Sequence, residues 1–333
     1  MKILFAIQGT GNGHLSRARD VYPELAKYGH VDVLISGIQA DVDVPFPVKF
    51  TYYGLSFIFG RRGGVDLGAT ARKLKLFRLI RDIRQCPVQQ YDIVISDFEP
   101  VSAWACRRRG KTCISLSHQC AVLHRGAPQP PSSDMIGKLV LTHYAPVTHT
   151  YGFHFRAYGD DIFTPVIRRE IRRAAVSNKG HYTVYLPAYD DDTIVAHLSQ
   201  FTDTRWHVFS KHNAVPFAIG NITVNRIDNS AFIESMASAA GVLCGAGFEG
   251  PAEAMYLGKK LMVIPMKAQY EQQCNAAAAA DMGATVISRL HRKYYDTIRA
   301  WLTHGKPMQV TYPCQTAEII EKIIKRYAPE IEQ

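Results

Sequence analysis

Short apolar runs alternate with stretches of helical periodicity along the whole chain. In the first half, Ile3 to Ile7, Val31 to Ile35, Val48 to Tyr53, Asp92 to Asp97 and Lys111 to Ser117 read as strands. The first of these is apolar throughout, as a strand covered on both faces of a parallel sheet is. Between them the spacing predicts helices from Leu15 to about Tyr28, from Gly68 to Arg84 with Leu74, Phe77, Ile80 and Ile83 along one face, and from Pro100 to Arg109. Pro100 in a first helical turn suits its fixed φ and missing N–H. His124 to Gly137, with Pro128, Pro130 and Pro131, reads as an irregular loop, and Tyr151 to Phe155 as a last strand.

Phe163-Thr164-Pro165 opens a linker that carries Arg168, Arg169, Arg172 and Arg173, and the pattern restarts after Gly180. Strands are expected at His181 to Leu186, Trp206 to Ser210, Ile222 to Asn225, Gly241 to Cys244 and Leu261 to Ile264. Helices are expected at Asp190 to Phe201, Ser230 to Ala239, from Phe248 to the stop at Gly258, and Tyr270 to Ala280. Apolar strands alternating with helices in both halves point to an α/β protein with two doubly wound parallel sheets and right-handed crossovers. The expected division is residues 1–160, 161–314, and a terminal segment 315–333 with a helix from Thr316 to Tyr327.

Composition narrows this picture. A length of 333 residues fits two domains of about 150 each, and 47% hydrophobic with 20% charged residues describes globular cores. Seven cysteines with no Cys-x-x-Cys pair predict reduced thiols and a cytoplasmic setting, and no Cys, His and carboxylate cluster has zinc spacing. Met1-Lys2 runs straight into a strand, so no signal peptide is expected, and no apolar run approaches the ~18 residues that span a bilayer. The net charge of +10 favours an anionic substrate or an anionic membrane surface as partner.

Two stretches carry the chemistry. Gln8-Gly9-Thr10-Gly11-Asn12-Gly13-His14 is a small-residue turn at the carboxyl end of the first strand, where open α/β sheets bind ligands. It lacks the Gly-x-Gly-x-x-Gly spacing of a dinucleotide fingerprint, and no acid ends the second strand. His14 is the side chain most easily tuned near neutral pH, and a histidine that merely caps its helix is the alternative. The second stretch runs from Cys244 to Asn275. Its Gly245-Ala246-Gly247 turn leads into a helix near Phe248 and Glu249, leaving backbone N–H groups for an anion. Glu253 has two acceptors that could grip vicinal hydroxyls. Asp97, Glu99 and His118 close other strands on the same side, and for Asp97 a buried or capping role is the alternative.

The second stretch resembles the donor-binding signature of glycosyltransferases of the two-Rossmann-domain (GT-B) fold. Glu253 stands five residues before Gly258, as that family's ribose-binding Glu does, and Glu271-Gln272-x-x-Asn275-Ala276 is similar to its Asp-Gln-x-x-Asn-Ala. Gly258-Lys259-Lys260 lacks the usual proline. The first stretch is similar to the Gly-Gly-Thr-Gly-Gly-His loop of the peptidoglycan N-acetylglucosaminyltransferases, with Asn12 in place of a glycine, and His118-Gln119 looks like their His-Glu-Gln. The resemblance implies metal-independent transfer from a nucleotide sugar, a uridine diphosphate sugar being the expected donor. The acceptor hydroxyl is unidentified, and a lipid-linked or cell-envelope glycan fits; no cofactor is implied.

By the same resemblance His14 is the base, and Thr10, Gly11, Asn12, Gly13, Asp97, Glu99 and His118 line the acceptor cleft. Backbone amides at Ala246, Gly247 and Phe248 receive the diphosphate, Glu253 the ribose, and Gln269, Glu271 and Gln272 the sugar hydroxyls, with Gly245, Glu249 and Asn275 as further donor-binding residues. The terminal helix is expected to return to the first domain. Relatives place Gly-Ser-x-Gly where this chain has Asp190-Asp191-Asp192, which are better caps than phosphate ligands.

Three other readings remain beside this one. Nucleotide-sugar 2-epimerases share the architecture but carry an Arg-x-x-Thr-Glu-Arg-Pro-like run where this chain has Met266 to Glu271. An inactive nucleotide-sugar-binding protein would not need His14. A nucleic-acid partner is not expected, because the basic residues form no recognised module. The basic run Arg61 to Arg84 suggests peripheral contact with anionic lipid at the inner face of a membrane, the alternative being a solvated face.

Overall fold

The computed structural model describes residues 1–10, 12–37, 44–54, 76–130, 134–213, 215–267 and 269–328. Gly11, the basic loop Arg61 to Gly64 and the first part of the helix expected from Gly68 lie outside them.

Among the described residues the first sheet has seven parallel strands: β1 (Lys2–Gln8), β2 (His30–Ser36), β3 (Val48–Tyr52), β4 (Ile93–Asp97), β5 (Ile114–Ser117), β6 (His149–Phe153) and β7 (Ile162–Phe163). Their order is β3-β2-β1-β4-β5-β6-β7, so the direction of winding reverses between β1 and β4. Connecting helices are α1 (Asn12–Leu25), α2 (Leu76–Gln85), α3 (Pro100–Arg109), α4 (His118–Val122) and α5 (Met135–Tyr144).

The second sheet repeats the plan with β8 (His181–Tyr185), β9 (Arg205–Ser210), β10 (Phe217–Ile219), β11 (Ile222–Arg226), β12 (Gly241–Gly245), β13 (Lys260–Ile264) and β14 (Thr285–Val286). Its order is β10-β11-β9-β8-β12-β13-β14, parallel except for the hairpin strand β10, with the reversal between β8 and β12. The helices are α6 (Arg169–Arg173), α7 (Asp191–Leu198), α8 (Asn229–Ser238), α9 (Glu249–Tyr256), α10 (Tyr270–Asp281), α11 (Tyr295–His304) and α12 (Thr316–Tyr327). These are two Rossmann-like domains, as the resemblance implies.

Several sequence readings shift. α1 begins at Asn12 rather than Leu15, which puts His14 in the first helical turn instead of a loop. α5 occupies the end of the stretch read as irregular: Asp134 caps it by accepting from Gly137 N at 2.8 Å, after the prolines have passed. Its apolar Met135 and Leu139 face solvent, so the periodicity gave no clear signal. β7 pairs with β6, so the first sheet runs past residue 160.

One apolar cluster runs through both domains. Ile3, Phe5 and Ile7 of β1 and Leu15 and Val21 of α1 belong to it together with Val242 of β12 and Met255 of α9. Ile319, Ile320, Ile323 and Ile324 of α12 complete it, and α12 lies against α1 of the first domain. Lys322 binds Asp160 O at 2.7 Å and Arg326 binds the Tyr151 hydroxyl at 3.3 Å. The chain therefore crosses between domains twice. Arg172 ties the crossings together by donating to Tyr312 O at 2.9 Å and Pro313 O at 3.0 Å.

Lys259 is buried in the second domain and donates to Ser177 O, Ala237 O and Ala239 O at 2.7, 2.6 and 3.0 Å. It pins the turn before β13 to the end of α8. No helix among the described residues is long and apolar enough to cross a membrane.

Candidate active site

The site forms where the carboxyl ends of β1 and β4 part. Gly9 leaves β1 so close to β2 that a Cβ would stand 2.7 Å from Ile35 Cγ2, which only glycine allows. Beyond β4 the chain turns sharply: Phe98 sits at φ +55°, a left-handed conformation uncommon for a non-glycine residue. Its ring stacks on Tyr144 at 4.7 Å. This turn sends Asp97 and Glu99 in different directions.

Glu99 is fully buried and serves the fold. Its carboxylate accepts from Val101 N at 2.7 Å and Ser102 N at 2.6 Å as the cap of α3, and from Ser36 Oγ at 2.5 Å. Burial raises its pKa and these hydrogen bonds oppose the rise. The expectation that it faces the acceptor cleft is therefore corrected: an acid one residue before a helix is claimed by the orphan N–H groups.

Asp97 faces the cleft side and holds two partners. Its Oδ1 lies 2.8 Å from His14 Nδ1, and Arg17 NH2 donates to both of its oxygens at 2.7 and 2.8 Å. With its proton on Nδ1 facing this carboxylate, His14 accepts at Nε2 from Gln119 Nε2 at 3.3 Å, the position an acceptor hydroxyl would take. Burial pulls the His14 pKa down, but the charge of Asp97 and its hydrogen bond outweigh this, and the net direction is upward. Asp97 is held below the usual range, because Arg17 and His14 overcome its burial.

Three contacts carry this cluster across to the second domain. Arg17 NH1 donates to Glu249 Oε1 at the start of α9. Gln119 Nε2 donates to Glu271 Oε2 of α10 at 3.2 Å. His118 stacks face to face on Phe248 at 3.8 Å, with Nδ1 2.8 Å from Phe153 O and Nε2 2.7 Å from Asn275 Oδ1. Both of those oxygens accept, and a neutral ring can donate to one; burial holds the ring's pKa down at about 4.

A cavity of about 780 Å³ opens at the carboxyl edge of the second sheet, at its own reversal point. Leu186, Gly245, Ile264 and Ala276 give it apolar walls, and Gln272 and Arg289 stand among its polar groups.

A family model described as glycosyl transferase family 1 matches residues 1–299. The chain belongs to that family. Among solved structures, the glycotransferase of kitacinnamycin is similar over 98% of this chain and 99% of its own, with 13% identity and a TM-score of 0.60. MurG of Acinetobacter baumannii matches with 13% identity, 98% and 100% coverage and a TM-score of 0.55. A UDP-glucosyltransferase from Polygonum tinctorium matches with 11% identity, 99% coverage of both chains and a TM-score of 0.58. At these identities the likeness is one of fold, GT-B. No curated protein matches the sequence significantly.

In this glycosyltransferase the residues expected to hold the donor divide into two groups. Gly245 and Gln272 line the cavity, and Gln272 Oε1 accepts from Met266 N at 2.9 Å. Gly247 has open space where a side chain would be. Glu249 and Glu271 are engaged with the first domain, and the Gln269 side-chain oxygen is buried without a hydrogen-bond partner.

The other group is committed to the fold. Ala246 N donates to Ile264 O at 3.1 Å, so that amide is not open to an anion as expected. Asn275, expected to bind the donor, is buried, with Nδ2 on Ala246 O at 3.1 Å and Oδ1 on His118, and secures the turn instead. Phe248 is buried under His118. The two acceptors of Glu253, expected to be free for ribose, are both taken. Arg168 Nε reaches Oε1 at 2.5 Å and NH2 reaches Oε2 at 2.8 Å. A buried carboxylate needs such a partner, and the linker supplies it.

On the acceptor side, Thr10 packs beside Gly37, and Gly13 lies directly under the Glu249 carboxylate. Asp190 caps α7, accepting from Thr193 N at 2.7 Å. Arg17 was not singled out by sequence; its signal is the i, i+3 spacing from His14, which puts both on one face of α1.

Proposed function

We propose that this enzyme moves a sugar from a nucleoside diphosphate donor, a uridine diphosphate sugar, to an acceptor hydroxyl. The observation that carries the reading is the His14–Asp97 pair at the end of the first sheet, which Arg17 links to Glu249 at the start of α9. In the reaction, Nε2 of His14 takes the acceptor proton as the oxygen–anomeric carbon bond forms and the bond to the diphosphate breaks. Asp97 then stabilises the imidazolium.

The departing diphosphate is neutralised by the backbone N–H groups around Gly247 at the start of α9, and no metal is required. The cavity beside Gly245 receives the nucleoside. A UDP-glucosyltransferase shares this fold, which supports the uridine nucleotide.

For the acceptor, a lipid-linked or cell-envelope glycan presented at an anionic inner membrane face fits best. α2 lies on the acceptor domain, exposes Phe77 and carries Arg78, Arg81 and Arg84. Nucleic acid has no place in this reading.

Calorimetry with uridine diphosphate and the other nucleoside diphosphates tests the donor site. Uridine diphosphate should bind the wild type, and Ala277→Trp, which fills the cavity from α10, should abolish binding without unfolding the protein. Equal binding by the filled variant would move the nucleotide elsewhere.

A further inference from the structure

Arg17 is the unexpected member of the site. Its side chain is only 2% exposed, yet one nitrogen holds both oxygens of Asp97 and another holds Glu249 of the opposite domain. A buried guanidinium so placed does more than fill space, because Asp97 is the group that orients His14. We propose that Arg17 is a positioning residue that fixes Asp97 against His14 and, through its second partner Glu249, makes the strength of the His14 base depend on the approach of the donor domain. The inference rests on His14 being the base.

The charges facing His14 come from every element around it. Arg17 lies one turn along α1, Asp97 ends β4, Glu249 starts α9, Glu271 on α10 is reached through Gln119, and His118 starts α4. The positive charge of Arg17 opposes protonation of His14 directly and drains the carboxylate of Asp97, which favours it. Glu249 works in the opposite sense, by its own charge and by satisfying Arg17.

With the domains together, as here, Glu249 offsets part of the guanidinium charge. With Glu249 withdrawn, Arg17 acts on Asp97 alone and His14 becomes a weaker base. Proton acceptance is thereby strongest when the donor side is in place. Gly13 allows the arrangement, since a Cβ there would stand 2.4 Å from Glu249 Oε2.

The test reads the proton rather than the reaction. The His14 pKa and ring tautomer are measured by NMR on folded wild type, Glu249→Gln and Arg17→Met. Glu249→Gln should lower the pKa by about half a unit or more, the effect of one charge at a part-buried site. Arg17→Met should raise it and mix the tautomers.

Shifts of opposite sign, with the Glu249→Gln shift reduced in the Arg17→Met background, establish the coupling; a Glu249→Gln shift of the same size in both backgrounds is the direct effect of its charge and overturns it. An unmoved pKa in Glu249→Gln also overturns it, whether or not Arg17→Met folds. The readout needs no sugar, so the coupling can fail while the transferase reading stands. A normal coupling with full turnover in His14→Ala would instead sink the transferase role of His14.

Discussion

Arg168 closes a two-pronged ion pair on Glu253, matching Nε and NH2 to the two carboxylate oxygens at 2.5 and 2.8 Å inside the second domain. Removing one partner of such a pair leaves an uncompensated buried charge. Glu253→Ala should therefore cost roughly 3 kcal/mol of stability, and Glu253→Leu with Arg168→Met should recover part of it. Urea unfolding of the three proteins gives the answer. Unchanged stability with lost nucleotide affinity would return the carboxylate to the ribose.

Asp97→Asn keeps the shape of the site but removes the charge that stabilises the His14 imidazolium. Turnover should fall at least about 10²-fold, and His14→Ala should fall as far. His14→Ala should leave the melting temperature nearly unchanged, because the ring is partly exposed in a first helical turn. Asp97→Asn should lower it, since Arg17 loses its buried counter-charge. Steady-state rates and thermal melts on both variants check the pattern, and normal turnover in either contradicts the base assignment.

His118 is held neutral in the fold with a pKa of about 4 against an ordinary 6.5. The unfolded chain therefore binds more protons in that window, and the contribution to stability is complete above about 6.5 and lost as pH falls towards about 4. The full effect is on the order of 3 kcal/mol. His118→Phe, which keeps the stacking on Phe248, should flatten the fall in melting temperature between these limits. An equally steep fall in that variant would assign the acid sensitivity to other groups.

Binding to anionic vesicles should weaken as salt rises, since the attraction offered by Arg78, Arg81 and Arg84 is screened over ~10 Å at 0.1 M. Reversing these three charges should remove it. Co-sedimentation indifferent to lipid charge and salt would leave α2 a solvated face.

Much of this fold is legible because its strands are apolar and its crossovers periodic, and that part rests on local pattern. β1, β4, β12 and β13 are short runs that cannot be anything but buried. The meeting of His14 with Asp97 was readable, because both stand at the carboxyl ends of neighbouring strands. The site was not readable where a partner arrives from far along the chain. Glu253 meets Arg168 across 85 positions, and Asn275 meets His118 across 157, and no spacing rule reports such encounters. Glu99 differs in kind: its neighbour Pro100 already marked a helix start, so the cap was visible and was outweighed by the acid's place at a strand end.

The two crossings between domains, bound side by side by Arg172, act together as a strap. A single cut in either one leaves the halves joined by the other and by α12 on its apolar bed. A backbone nick between Arg173 and His181 should therefore leave two fragments that stay together as one piece on size-exclusion chromatography. Truncation before Thr316 should not be tolerated, because it strips four isoleucines from the shared core at once.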